Sequence, residues 1–185
     1  SVFCPYGYRK SADGRMEPDE EVSEIVRQIL EWAADGNTAA EITRKLYAMK
    51  IPTPGEYRRN KGKDHYNVSR THGVWNSSTV LRMLADKRYI GTFVIGKRKV
   101  QEIGSRRMKL KDESEWFKIP DHHQAIVSKE LFEKANASIK RFSLPNKKQR
   151  DYLLRGKVFC GCCDHAMSLR NDVWFYCRHS EVAEN

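Results

Sequence analysis

The side chains best placed for chemistry are four cysteines near the end of the chain. Cys160-Gly161-Cys162-Cys163 contains a C-x2-C knuckle, and Cys177 follows the β-rich run Val173-Trp174-Phe175-Tyr176. Gly161 permits the tight turn that lets two thiolates and backbone amides converge on one ion, and the Cys160, Cys163, Cys177 spacing is most of a zinc ribbon. A structural zinc needs four ligands. The fourth is open among His179, His165, Cys162 and a residue outside this chain. Five cysteines cannot all pair, and three crowd into four positions. This usage suits a reducing compartment and a metal site rather than a disulfide framework. A redox reading of the C-x2-C lacks the surrounding βαβ pattern.

Other catalytic signatures are absent. The sequence has no Gly-rich phosphate loop, no H-E-x-x-H and no G-x-S-x-G. His122-His123 precedes a helix start with no visible nucleophile, and reads as hydrogen-bonded structure. No apolar run reaches membrane-spanning length, and Ser1–Tyr6 lacks the regions of a signal peptide. Neither a membrane nor a small-molecule substrate is expected.

Charge supplies the second signal. The 185 residues carry a formal net charge of +10, and the excess is segregated. Residues 12–35 hold eight acids and two bases, residues 87–111 nine bases and one acid, and residues 140–157 seven bases and one acid. Dense basic runs beside an acidic element make faces that neutralise phosphates and release counterions. Single basic runs are ordinarily solvated surface; two in one chain point to nucleic acid.

These residues need elements to position them. Residues 1–16 read as an extended lead-in with a turn at Asp13-Gly14. A helix is predicted from Pro18, with Val22, Ile25, Val26, Ile29, Leu30 and Ala33 as one stripe and Gly36 as its stop. A second helix opens at the capping box Thr38/Glu41 and buries Ala39, Ile42, Leu46 and Met49, completing a helical hairpin. Residues 51–74 read as a long basic loop containing Arg58 and Arg59. A third helix spans Ser77 to Ala85, capped by Asn76 and stapled by Trp75 against Val80. Val80, Leu81 and Leu84 face inward, while Ser78, Thr79, Arg82, Met83 and Asp86 form an outer face that can approach a groove. Residues 89–95 and 116–119 read as two strands with a basic loop between them, and a fourth helix follows Ser128 with Leu131, Ala135, Ile139 and Phe142 on one face. The fold class is therefore α+β: a helical domain with a small β-hairpin, then a partial zinc-ribbon β domain. The domains are 1–142 and 157–185, joined by a linker at 143–156.

The ordered motifs carry a resemblance. Pro5-Tyr6-Gly7-Tyr8, Glu31-Trp32-Ala33-Ala34-Asp35-Gly36, Ile51-Pro52-Thr53-Pro54, Trp75-Asn76-Ser77-Ser78-Thr79-Val80, Tyr89-Ile90-Gly91, His123-Gln124-Ala125-Ile126-Val127 and the cysteine knuckle occur in that order. The series resembles the recombinase domain and the start of the zinc ribbon of large serine recombinases, the serine integrase and transposon-resolvase group. The resemblance implies that the helical domain holds a helix-turn-helix-like DNA-binding core, and that the fragment binds a double-stranded DNA attachment half-site with a helix in the major groove and the leading segment along the minor groove. It implies zinc as a structural cofactor. The catalytic serine would lie in a separate domain, so Ser77 and Ser78 are not nucleophiles and this stretch alone performs no chemistry. The parent would form a dimer and a synaptic tetramer in the cytoplasm of a bacterium, at the nucleoid. DNA contacts are expected from Tyr6, Arg9, Arg58, Arg59, Asn76, Ser77, Ser78, Thr79, Arg82, Met83, Lys97, Arg98, Lys99, Arg106 and Arg107, and metal ligation from Cys160, Cys163 and Cys177. Two other classes remain: a zinc-ribbon RNA-binding protein, disfavoured because most aromatics occupy core-type positions, and a self-assembly module.

Overall fold

The computed structural model describes residues 4–62, 74–101, 104, 107–139, 153–154, 156–170 and 173–177. The architecture is mixed α and β, with five helices and four two-stranded antiparallel sheets among these residues. The chain divides into two compact units, residues 1–36 with 82–138, and residues 37–81 with 139–185. Most of the expected linker at 143–156 lies outside the described residues.

The first unit opens with a hairpin, β1 (Tyr8–Lys10) paired to β2 (Met16–Pro18), with Tyr8 opposite Pro18. Pro18 is thus the end of a strand rather than the start of a helix. Asp19 turns the chain: its N–H donates to the Gly7 carbonyl at 2.9 Å, and its own carbonyl accepts from Val22 and Ser23. Helix α1 (Ser23–Ala34) begins only there, and buries Val26, Ile29, Leu30, Ala33 and Ala34. It packs on α5 (Lys129–Ser138), whose Ser128 cap accepts from the Leu131 N–H at 3.2 Å. Phe132 and Ala135 are the buried side chains of α5, while Leu131 is half-buried and Phe142 lies outside the described residues. Polar residues of α5 satisfy carbonyls that helix ends leave open. Ser138 Oγ reaches the Ala34 carbonyl (3.4 Å), and Asn136 Nδ2 reaches that of Leu84 (2.7 Å).

Between α4 (Ser77–Leu84) and β3 (Phe93–Ile95) the chain makes a 3-10 turn over Lys87–Ile90, where a strand was expected to begin. Gly91 closes that turn at φ +78°, and a Cβ there would stand 2.8 Å from the His123 carbonyl. β3 pairs with β6 (Phe117–Ile119), in agreement with the expected pair of strands. The intervening basic segment is not a plain loop. It builds a further ribbon, β4 (Arg98–Val100) on β5 (Met108–Leu110).

In the second unit, α2 (Ala39–Ala48) has the expected capping box, with the Glu41 N–H donating to Thr38 Oγ1 at 3.3 Å. Ile42 and Leu46 are buried, whereas Met49 is exposed at the C-cap. Residues 54–60, expected in a loop, form α3 (Pro54–Asn60). Trp75 is buried and donates its indole N–H to the Ile51 carbonyl at 2.9 Å. The cysteine segment is a small β unit, β7 (Ser168–Arg170) on β8 (Trp174–Tyr176), preceded by a bridge between Phe159 and Ala166.

Candidate nucleic-acid interface and cysteine centre

The β7–β8 hairpin returns the chain so that Cys177 meets the knuckle. The sulfurs of Cys160, Cys163 and Cys177 all lie within 4.8 Å of one another, with Cys163 and Cys177 at 3.4 Å. A tetrahedral zinc with thiolates at about 2.3 Å places its sulfurs about 3.8 Å apart, so the three positions fit such an ion. The knuckle is held by the Cys160 N–H on the His165 carbonyl and the Asp164 N–H on the Cys160 carbonyl, both 2.8 Å. Backbone amides of Cys162 and Cys163 aim at the Cys160 sulfur and lower its pKa to about 7. The His165 amide acts the same way on Cys163, but burial and the adjoining Cys177 and Cys160 thiols outweigh it and raise that pKa to about 11. Three convergent sulfurs, one of them favoured as thiolate by backbone amides, form a donor set compatible with a metal ion. Among the described residues neither Cys162 nor His165 joins this group, and His179 lies outside them.

The expected DNA-contacting residues fall on several elements. In α4, Asn76 caps the first turn by accepting the Ser78 N–H at 2.8 Å. Ser78 and Arg82 are exposed, and Ser77 and Thr79 are half-buried. Met83 is only 6% exposed: the buried stripe is Val80, Met83, Leu84, the i, i+3, i+4 set, with Leu81 at its margin. Met83 is therefore corrected from the outer face to the core. Tyr6 is buried as well. It is 5% exposed, its hydroxyl is pushed to high pKa by burial and by Asp19, and its carbonyl accepts the Tyr89 hydroxyl at 2.9 Å.

Arg9 is exposed but tied to Glu17 at 2.8 Å across the first hairpin. Arg58 and Arg59 are half-buried on α3, and Arg59 lines an open cleft of about 450 Å³ with Tyr47, Lys50, Ile51, Pro52 and Glu56. Lys97 lies over the Trp116 ring, 5.0 Å from its centroid. Arg98, Lys99 and Arg107 are exposed on the ribbon, and Arg106 lies outside the described residues.

Sequence reasoning missed α3, the ribbon's Lys109 and Lys118 of β6. Thr53-Pro54-Gly55-Glu56 is a capping box with proline at the first helical position, the same signature read correctly at Thr38. Lys109 sits opposite Lys99 in the ribbon, and Lys118 joins Lys87 on the Glu113 carboxylate at the base of the strands. Those two ammonium groups hold the Glu113 pKa down to about 2.

Residues 20–142 match the family model described as Recombinase, and the chain belongs to that family. It is 28% identical over 185 residues to "Uncharacterized protein y4bA/y4pH" of Sinorhizobium fredii (strain NBRC 101917 / NGR234), covering 88% of this chain and 25% of the relative. The chain thus spans about a quarter of that relative's length. A solved structure described as "Crystal Structure of a LSR-DNA Complex" superposes with a TM-score of 0.46 at 17% identity, covering 90% of this chain and 42% of the other. Among the described residues no helix is long and apolar enough to cross a membrane.

Proposed function

We propose that this chain is the DNA-binding part of a large serine recombinase, engaging an attachment half-site of duplex DNA as a recombinase domain followed by a zinc ribbon. The observation that carries the reading is the membership of residues 20–142 in the Recombinase family. The exposed Ser78 and Arg82 of α4 support it as groove-facing groups, and Arg98, Lys99 and Arg107 as phosphate contacts. Zinc, when bound, cross-links the knuckle to β8, with Cys160, Cys163 and Cys177 as three of its ligands. Strand cleavage belongs to the parent's catalytic serine, and this chain alone positions DNA without cutting it.

The test begins by selecting a half-site from a randomised duplex pool, then titrates that site, a random duplex and single-stranded RNA over a salt series. Arg82→Ala should cost about 1–3 kcal/mol on the selected site and little on random duplex, because a base contact discriminates whereas a phosphate contact does not. Lys99→Ala should weaken both duplexes alike and reduce the salt slope by about one unit. Preference for RNA over every duplex, or strand cleavage by the purified chain, would overturn the reading.

A further inference from the structure

The β4–β5 ribbon is exposed along its whole length, and its two faces differ. Directly opposed residues of an antiparallel pair share a face. Arg98 faces Leu110 and Val100 faces Met108 on one side, and Lys99 faces Lys109 on the other. Every residue of both strands is exposed. Val100, Met108 and Leu110 are 50%, 53% and 58% exposed, so three apolar side chains stand together in solvent. A two-stranded hairpin with nothing on either face is marginal in water, and such a patch marks a surface that is covered when the protein works.

Charge says what covers it. Residues 97–111 carry seven bases and one acid. Arg98 shares the apolar face, whereas Lys99 and Lys109 lie on the reverse face, and the same alternation carries the flanking Lys97, Lys111 and Arg107 to that side. A narrow ribbon with an apolar face, one arginine on that face and long flexible cations behind it that can reach past its edges matches a groove whose walls are phosphate and whose floor is sugar and base. Valine, methionine and leucine offer bases no hydrogen bond, so they cannot act there as base readers through polar contacts. What such side chains do in the minor groove is enter between base steps and unstack them. Dimensions agree. Two strands about 4.8 Å apart, with side chains, overfill a minor groove about 6 Å wide, so the ribbon enters only as the groove widens and the duplex kinks.

We propose that the β4–β5 ribbon is a minor-groove wedge, with Val100, Met108 and Leu110 turned into duplex DNA to bend it and the surrounding lysines and arginines on the flanking phosphates. The proposal rests on the DNA-binding reading above and adds a deformation that simple binding does not require. The bent duplex would present more of its backbone to the rest of the chain, and step flexibility would bias the site without direct base contact.

The probe is a random-sequence duplex of about 30 base pairs, short enough to behave as a stiff rod, carrying a donor and an acceptor fluorophore at its two ends. Binding of the full chain should raise energy transfer as the ends approach. The double variant Val100→Ser, Met108→Ser should bind within about threefold of the parent, because cations supply most of the non-specific affinity, yet leave transfer at its free-duplex value. Met108→Leu keeps an apolar wedge and should keep the bend, which separates loss of the wedge from loss of the fold. Binding without a change in transfer would overturn the wedge and leave the DNA reading standing. A double variant that bends DNA as the parent does would also overturn it. Concentration-dependent self-association without DNA, abolished by the double variant while bending persists, would reassign the face to a second copy. Failure of the parent chain to bind any duplex would remove both readings together.

Discussion

The first unit holds two regions built from similar residue types under opposite conditions. Around α1 and α5, aromatic and polar groups interlock. The Tyr89 hydroxyl donates to the Tyr6 carbonyl at 2.9 Å, and the Tyr8 hydroxyl lies 2.9 Å from the Gln124 carbonyl and 3.0 Å from that of Arg88. His123 Nε2 is 2.7 Å from the same Arg88 carbonyl, and its ring meets Tyr8 edge-on at 5.0 Å. Gly7, at φ +95°, allows the approach: a Cβ there would lie 2.6 Å from Val26 Cγ2. On the β4–β5 ribbon, by contrast, leucine, methionine and valine stand in solvent among cations. Apolar side chains hold the first region together by burial, whereas those of the second contribute little to folding and are free to bury something else. The same residue type therefore fills the core at Leu30 and stands in solvent at Leu110, where the proposed wedge would give it DNA to bury against.

The largest expected effect breaks that contrast directly. Leu30 is fully buried, and Leu30→Ala should cost about 2–5 kcal/mol, the transfer loss plus the cavity. Leu110→Ala, at an exposed position, should change stability by about 0.5 kcal/mol or less. Urea unfolding of both variants checks the pair. A Leu110 cost near that of Leu30 would mean that the ribbon is covered in the free protein.

A smaller and more local effect is expected at the cysteine centre, which resembles neither region because cross-linking, rather than burial or solvation, would hold it. If the three thiolates carry zinc, a strong chelator should release the metal and increase hydrogen exchange in residues 157–177, while the helical circular dichroism is largely retained. Metal rebinding should release protons, since Cys163 is held protonated without a cation. Unchanged exchange after chelation, or purified protein that contains no metal and has freely alkylated cysteines, counts against the site.

How much of this was legible in the sequence follows the reach of the interactions. The α1 stripe, the Thr38 box and the Asn76 cap depend on neighbours within four residues, and were read correctly. Pro18 has two local meanings, first helical residue or strand end, and its pairing with Tyr8 selects the second. Met83 was placed on the wrong face because Val80-Leu81-x-Met83-Leu84 permits two overlapping stripes, and only packing chooses between them. The grouping of the knuckle with Cys177 is legible from spacing alone as a candidate set of ligands. Their convergence needed β7 and β8 to pair in register. The inner ribbon was unreadable because three-residue strands rich in lysine carry little β signal. His122-His123 was read as structure, but nothing local announces that His123 would face Arg88 and Tyr8 from so far along the chain.

That histidine carries the smallest effect, a pH dependence confined to the interlocked region. His123 Nε2 meets a carbonyl, so it bears the proton, and Nδ1 accepts from His122 Nδ1 at 3.2 Å. A second proton has to displace the His122 bond and enter a site that burial already makes unfavourable for charge; the His122 and Arg88 charges oppose it as well, while the hydrogen bond to the Arg88 carbonyl and the Asp86 carboxylate favour it without outweighing burial. The folded-state pKa therefore lies below the ordinary value. Once pH falls through about 6.5, the unfolded chain binds a proton that the folded chain refuses, and stability declines until the folded pKa is passed. Above that window His123 is neutral in both states and contributes no slope. Glu113, held near 2 by Lys87 and Lys118, adds its own loss only below about 4.5, so the two steps are separable. His123→Gln preserves a donor for the Arg88 carbonyl but cannot titrate. Urea midpoints measured from pH 8 to pH 5 should fall for the parent chain and stay nearly level for the variant, whereas parallel curves would place the titrating group elsewhere. Ribbon variants such as Lys99→Ala should reproduce the parental curve, because no element of that ribbon touches the histidine pair among the contacts described.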